Sequence, residues 1–309
     1  MIRPITSLLV FTAVTIVVAI TLGLAMGAMN TYVSIFGVFA GLVAAVITFK
    51  TIKVEESSAD APNVVEMVWL IIFALAALRS FFWLLYPYND EWYILSRDNL
   101  GDISLHLNLI QYLAHATPFW PQSSILVHTQ LTYPIGMDLL NAILLNLHVP
   151  VVKGLIWTGL LGSLATAYCL WKWGRSFTVA ALLFTGGLFG FLGFFPWHLP
   201  PLEWKNPFLT LFVTQRGWLY ALPATLFLLW SWRMRLEKKN TIPEWIEVLF
   251  YGSLPLFNAH AFLFLSAVLA SQWIFNPDHR RRLFYFVGFS FLPATVCMAL
   301  VTNFFHQSG

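Results

Sequence analysis

Residues 5–28 read ITSLLVFTAVTIVVAITLGLAMGA, 24 positions without a charged side chain. A helix needs about 20 mainly apolar residues to cross a bilayer, and lipid offers the backbone no hydrogen-bond partner, so such a run crosses as a helix. It is longer than the ~7–15-residue apolar region of a secretory leader and reads as a first spanning helix. Comparable runs cover 31–49, 64–86, 150–171, 176–195, 208–232 and 283–304, with shorter apolar pieces at 135–149 and within 244–275. The expected fold is an all-α, polytopic transmembrane bundle of about nine segments, some short or broken. It forms one membrane domain over 1–309, with two helices in 1–63 preceding the rest.

Composition agrees. The 309 residues are 59% apolar and 10% charged, with a mean hydropathy of +0.73, whereas soluble domains carry about 25% charged residues. A formal charge of +3 is too small to argue for nucleic acid; membrane lipids are the expected surroundings. Cys169 and Cys297 lie in apolar runs and read as small apolar residues. No Cys/His spacing suggests zinc, so the sequence names no metal and leaves cofactors unknown.

Two basic stretches fix orientation. Arg233, Arg235, Lys238 and Lys239 form one, and Arg280, Arg281 and Arg282 the other; the positive-inside rule puts both in the cytoplasm. The 32 residues of 244–275 between them must then cross an even number of times. With Pro255 and Asn258 at the middle, a V of two half-helices is expected. Counting from the N-terminus instead puts 135–149 on the wrong side unless it is re-entrant or interfacial.

The one long polar segment, 87–134, holds four of the chain's 14 acids (Asp90, Glu91, Asp98 and Asp102) with one base, Arg97. Residues 102–116 read as a surface helix in which Asp102 and His106, four apart, share a face. The pair is open to two readings: a cleft-facing acid and imidazole, or a helix cap with a solvated neighbour. Asp90 and Glu91 directly follow a spanning run. If partly buried they suit general-base work; otherwise they end a helix. Within the apolar runs, Arg216 stands out, because a buried guanidinium seeks a phosphate or a carboxylate; Glu203 is the alternative carboxylate. Asp138 and Asn141 are placed to line a polar cavity, and Asn258 and His260 sit at the turn of the V.

These residues together resemble the GT-C superfamily of integral membrane glycosyltransferases. The resemblance rests on an apolar helix followed by Asp90-Glu91, on Gly101-Asp102-Ile103-Ser104-Leu105-His106, on Pro118 to Pro121, and on Leu131-Thr132-Tyr133-Pro134-Ile135-Gly136-Met137. Gln215-Arg216 and Phe257-Asn258-Ala259-His260-Ala261 extend it. The GT-C-like part is 64–304, with 87–134 as its outer loop. The resemblance implies a polyprenyl-phosphate sugar donor, an extracytoplasmic site and a cell-envelope role in a bacterial inner membrane. Asp102, Asp90, Glu91 and His106 would be the catalytic candidates, Asp102 favoured as base. Arg216, Gln215, His260, Asn258, Tyr133 and Asp138 would bind substrate, with Arg216 on the leaving phosphate. The acceptor stays open. Two rivals remain: a transporter or flippase of a lipid-linked substrate, and a structural subunit of a membrane complex.

Overall fold

The computed structural model describes residues 1–52, 61–94, 100–115, 118–124, 128–185 and 206–305, apart from the side chains of 100 and 101. The chain is helical almost throughout. In order the helices are α1 (Ile2–Met26), α2 (Thr31–Thr51), α3 (Val64–Phe82), α4 (Leu100–Ala114), α5 (Gly136–Asn146), α6 (Val151–Phe184), α7 (Trp218–Leu236), α8 (Glu244–Phe257), α9 (Ala259–Phe275) and α10 (Arg280–Val301). A single hairpin, β1 (Tyr86–Tyr88) with β2 (Glu91–Tyr93), follows α3.

Among the described residues, five helical stretches are long and apolar enough to cross a membrane: α1, α2, α3, α6 and Pro277–Val301. The chain is thus a multi-pass helical membrane protein. Several of the nine expected segments are shorter than a span. At 1.5 Å per residue, α5 is about 17 Å long, α8 about 21 Å and α9 about 26 Å, against a hydrocarbon core of about 30 Å.

Ion pairs define one end of the bundle. Glu247, in the first turn of α8 and wholly buried, accepts from Arg235 Nε at 2.9 Å and from Arg282 Nη2 at 2.8 Å, and Ser231 donates to it as well. Carboxylates are favoured at a helix N-terminus, and this one draws both basic stretches together. Arg280 Nε donates to the Trp273 carbonyl at 2.9 Å, so α9 ends where α8 began. The expected V is present. Its vertex is not Pro255, which lies within the last turn of α8, but Asn258, whose extended backbone carries a side chain that accepts from Ala261 N at 2.9 Å. That cap satisfies an amide the new helix leaves open.

The opposite end is set by α7, whose 19 residues rise about 28 Å from Arg216 to the basic end. There the Gly27 carbonyl, at the end of α1, accepts from Phe119 N at 3.1 Å. Asn146 Nδ2 of α5 reaches Ser34 Oγ of α2 at 3.3 Å. Leu85, Ile110 and Leu155 pack together with Leu145 at their margin, and Asp138 in the first turn of α5 lies against His106 of α4, so both ends of α5 and the start of α6 also lie here. With both ends against α4, α5 fits the interfacial alternative for 135–149.

Two expected runs are interrupted. α6 joins 150–171 to the start of 176–195 through a break at Gly174 and Arg175, the latter at φ 56°; residues 186–205, which include Glu203, lie outside the described residues. The run 208–232 is not one helix. A π-helical turn, Phe208–Phe212, gives way to turns at 213–217 before α7 begins, and Arg216 sits in that gap.

Candidate functional site

The site forms where α4, α5, α6 and the 213–217 gap converge. His106 and Asp138 are both buried. His106 Nδ1 lies 3.0 Å from Asp138 Oδ1 and 2.9 Å from Oδ2. Asp138 stands in the first turn of α5, where helix amides favour a carboxylate, and it fixes the imidazole's orientation. His106 Nε2 is buried without a hydrogen-bond partner among the described residues.

One turn earlier on α4, Asp102 is half-buried, and Thr214 Oγ1 lies 3.3 Å from its Oδ2. The Thr214 hydroxyl is also in reach of the Thr210 carbonyl. Tyr133 closes a side, its ring edge-on to His106 at 6.1 Å between centroids. Burial first, and then the carboxylates of Asp138 and Asp102, push the Tyr133 phenol up to about 12; it remains a neutral hydrogen-bond donor at physiological pH.

Arg216 lies two residues beyond Thr214 and is wholly buried. Its Nη2 donates to the Leu155 carbonyl at 3.1 Å and to Thr158 Oγ1 at 2.5 Å; Thr158 in turn lies 3.4 Å from Asn141 Oδ1. The guanidinium carbon stands 5.9 Å from the centre of the Phe81 ring, within cation–π range. Asp138 attracts it at longer range, but that carboxylate is already held by His106. Arg216 Nε and Nη1 are buried with no partner among the described residues. A buried cation left in that state is costly, and such groups inside membrane proteins mark functional positions.

The vertex of the V backs this gap. A Cβ on Gly217 would stand 2.0 Å from the Phe257 carbonyl oxygen, and one on Gly136 would stand 2.5 Å from the Phe257 ring. Glycine at 217 is what lets α8 end directly behind Arg216. Phe257 also stacks on Tyr220 at 3.9 Å.

The sequence candidates therefore divide. Asp102, His106, Tyr133, Asp138 and Arg216 come together. Asn258 supports the site as a helix cap, and Gln215 Oε1 accepts from Trp218 Nε1 at 3.2 Å, so both serve the local turns. His260 is exposed on the first turn of α9. Asp90 and Glu91 form the exposed end of the β1–β2 hairpin. Asn89 and Asp90 take φ of 49° and 62°, as a two-residue hairpin turn requires and as Asn and Asp tolerate. Glu91 accepts from the Tyr93 hydroxyl at 3.0 Å. The burial that a base at this pair needs is absent.

Thr158 and Thr214 were not singled out by sequence. Hydroxyls in apolar helices ordinarily bond back to their own backbone, and nothing local distinguishes these two. Among the described residues, no three His, Cys, Asp or Glu side chains group as metal ligands would.

An apolar cleft of about 290 Å³ runs between α1, α5, α6 and α7 and reaches Thr158, Leu219 and Tyr220 beside the guanidinium. No family model, curated protein or solved structure matches this chain.

Proposed function

We propose that the chain is a membrane glycosyltransferase that moves a sugar from a polyprenyl-phosphate donor to an acceptor at the extracytoplasmic face. The observation that carries this reading is Arg216: a fully buried guanidinium with Nε and Nη1 unpartnered among the described residues, two positions from the threonine that meets Asp102. A guanidinium grips phosphate with two parallel hydrogen bonds. The apolar cleft ending at Thr158 suits the isoprenoid chain of the same molecule.

In this reading Asp102, half-exposed at the mouth, takes the proton from the acceptor hydroxyl. The freed oxygen attacks the anomeric carbon, the bond from that carbon to the phosphate oxygen breaks, and the departing phosphate carries its charge onto Arg216. His106, held by Asp138, and the neutral phenol of Tyr133 orient the sugar. The positive-inside rule puts the basic end in the cytoplasm and the site, about 28 Å away along α7, at the outer face. α1, α2, α3, α6, α7 and α10 are then among the segments that cross a bacterial inner membrane, and the V of α8 and α9 enters from the cytoplasm.

The test is transfer by protein reconstituted with radiolabelled polyprenyl-phosphate sugars. Asp102→Asn is expected to lower transfer by about 100-fold or more, the low end for general-base loss, while donor binding persists. Unchanged transfer in that variant would remove Asp102 from the chemistry. Movement of donor across the bilayer without sugar transfer would favour the flippase instead.

A further inference from the structure

The contact between His106 and Asp138 settles which imidazole nitrogen carries the hydrogen. A carboxylate only accepts hydrogen bonds, and Asp138 presents both of its oxygens to Nδ1, at 3.0 and 2.9 Å. Nδ1 is therefore the donor. In the neutral ring Nε2 is then an acceptor with a lone pair to offer.

That lone pair receives no hydrogen from the protein. His106 is 2% exposed, and Nε2 is buried with no hydrogen-bond partner among the described residues. An unpaired buried acceptor is costly, and a leucine would fill the same space without that cost. The groups around it do not supply the missing donor. Tyr133 meets the ring edge-on, with 6.1 Å between centroids, which is a packing contact. Asp102, one turn earlier on the same face of α4, is a carboxylate and already meets Thr214 Oγ1 at 3.3 Å. The nitrogen thus stands beside the mouth of the site as an acceptor waiting for a hydroxyl or amine hydrogen.

We propose that His106 Nε2 accepts a hydrogen bond from one hydroxyl of the donor sugar, so that His106 determines sugar specificity and Asp138 is the positioning residue that keeps the lone pair available. The inference rests on the glycosyl-transfer reading and narrows its substrate class to a sugar with a free hydroxyl at one particular ring position. Residues four apart on a helix lie about 5–6 Å from each other. With the anomeric carbon before Asp102 and the phosphate on Arg216, the hydroxyls of the same ring come within reach of His106. A site built to pair with a hydroxyl rejects the sugar that lacks it, because the buried nitrogen is then left unpaired.

The reconstituted full chain tests this with radiolabelled polyprenyl-phosphate glucose, mannose and galactose, and with the 2-, 3-, 4- and 6-deoxy derivatives of whichever sugar it transfers. In the wild type, removing one hydroxyl is expected to lower kcat/KM by roughly 10–100-fold, the range for a buried acceptor left unpaired. His106→Leu has no nitrogen to leave unpaired. It should slow transfer of the parent sugar and erase the discrimination at that ring position, a change of ratio that a merely structural role would not produce. His106→Gln, which keeps a carbonyl acceptor, should restore part of the ratio. Asp138→Asn should shrink it at the same position, since its amide can give a hydrogen to Nδ1 and make Nε2 the donor. Equal kcat/KM for the parent and all four deoxy donors in the wild type, or a discrimination that His106→Leu leaves intact, would overturn the proposal while sugar transfer stands. No transfer of any of the three sugars would remove the glycosyl-transfer reading and this inference with it.

Discussion

Gly217→Ala should destabilise the protein more than any single methyl group would suggest. The added Cβ stands 2.0 Å from the Phe257 carbonyl oxygen, and real Cβ contacts do not fall below 3.0 Å, so the backbone at the vertex of the V must retreat by about 1 Å. Its escape is blocked, because the Phe257 ring is stacked on Tyr220 at 3.9 Å and faces Gly136. Overpacking of this kind costs about 1–3 kcal/mol, and a backbone obstacle belongs at the upper end. The φ of −56° at Gly217 is open to alanine, so the substitution also recovers about 0.4–1 kcal/mol of unfolded-chain entropy. The net expectation is a loss of about 2 kcal/mol, or roughly 3 °C in unfolding temperature for a chain of this size. The buried free thiols Cys169 and Cys297 supply the assay: their labelling by a thiol-reactive fluorophore during heating in mild detergent reports unfolding. Gly288→Ala in α10 is the control. Nothing lies within 4 Å of its Cβ, and alanine in a helix interior should stabilise by up to about 1 kcal/mol. Equal unfolding temperatures for wild type and Gly217→Ala would refute the close approach of α8 to the Arg216 gap.

Three further outcomes are expected. Glu247→Ala removes the carboxylate shared by Arg235 and Arg282 and should cost about 3 kcal/mol, the low end for breaking a buried pair because both arginines can turn toward water; the same thiol assay reads it. His106→Ala and Asp138→Ala should be non-additive by about 0.5–3 kcal/mol in a double-mutant cycle of unfolding free energies, and additive losses would mean that the pair does not form. Tyr133 gives a pH signature. Its folded-state pKa is raised to about 12 from the ordinary 10, so its contribution is complete below pH 10 and is lost as pH climbs from 10 toward 12, by up to about 2 kcal/mol. Unfolding scans at pH 8 and 11 should show a drop that Tyr133→Phe lessens.

Much of the architecture was legible because it follows from chain length in an apolar solvent. Long apolar runs gave α1, α2, α3 and α10, and the two basic stretches flanking 32 residues required the V. The helix read over 102–116 is α4, shifted by two residues to Leu100–Ala114. The gap at 213–217 was hidden, because a run apolar on all sides carries no periodicity to break and Arg216 alone does not end a helix. The role of α5 was hidden for a related reason: hydropathy sees an apolar piece of 15 residues but not that both of its ends pack against α4. At the site, the shared face of Asp102 and His106 was readable from their spacing of four. The pairing of His106 with Asp138 spans 32 residues and has no local signal. Asp90 and Glu91 looked chemical on composition, yet the left-handed turn they belong to explains Asp90 on conformational grounds.

The most direct test of the account is the affinity of the protein in lipid nanodiscs for polyprenyl phosphate, wild type against Arg216→Gln. A guanidinium clamp on phosphate predicts saturable binding that weakens by roughly 10-fold or more in the variant, the equivalent of about 1.5–3 kcal/mol for charge-assisted hydrogen bonds, with Arg216→Lys intermediate because it keeps charge without the fork. Wild-type affinity in a folded Arg216→Gln protein would contradict it.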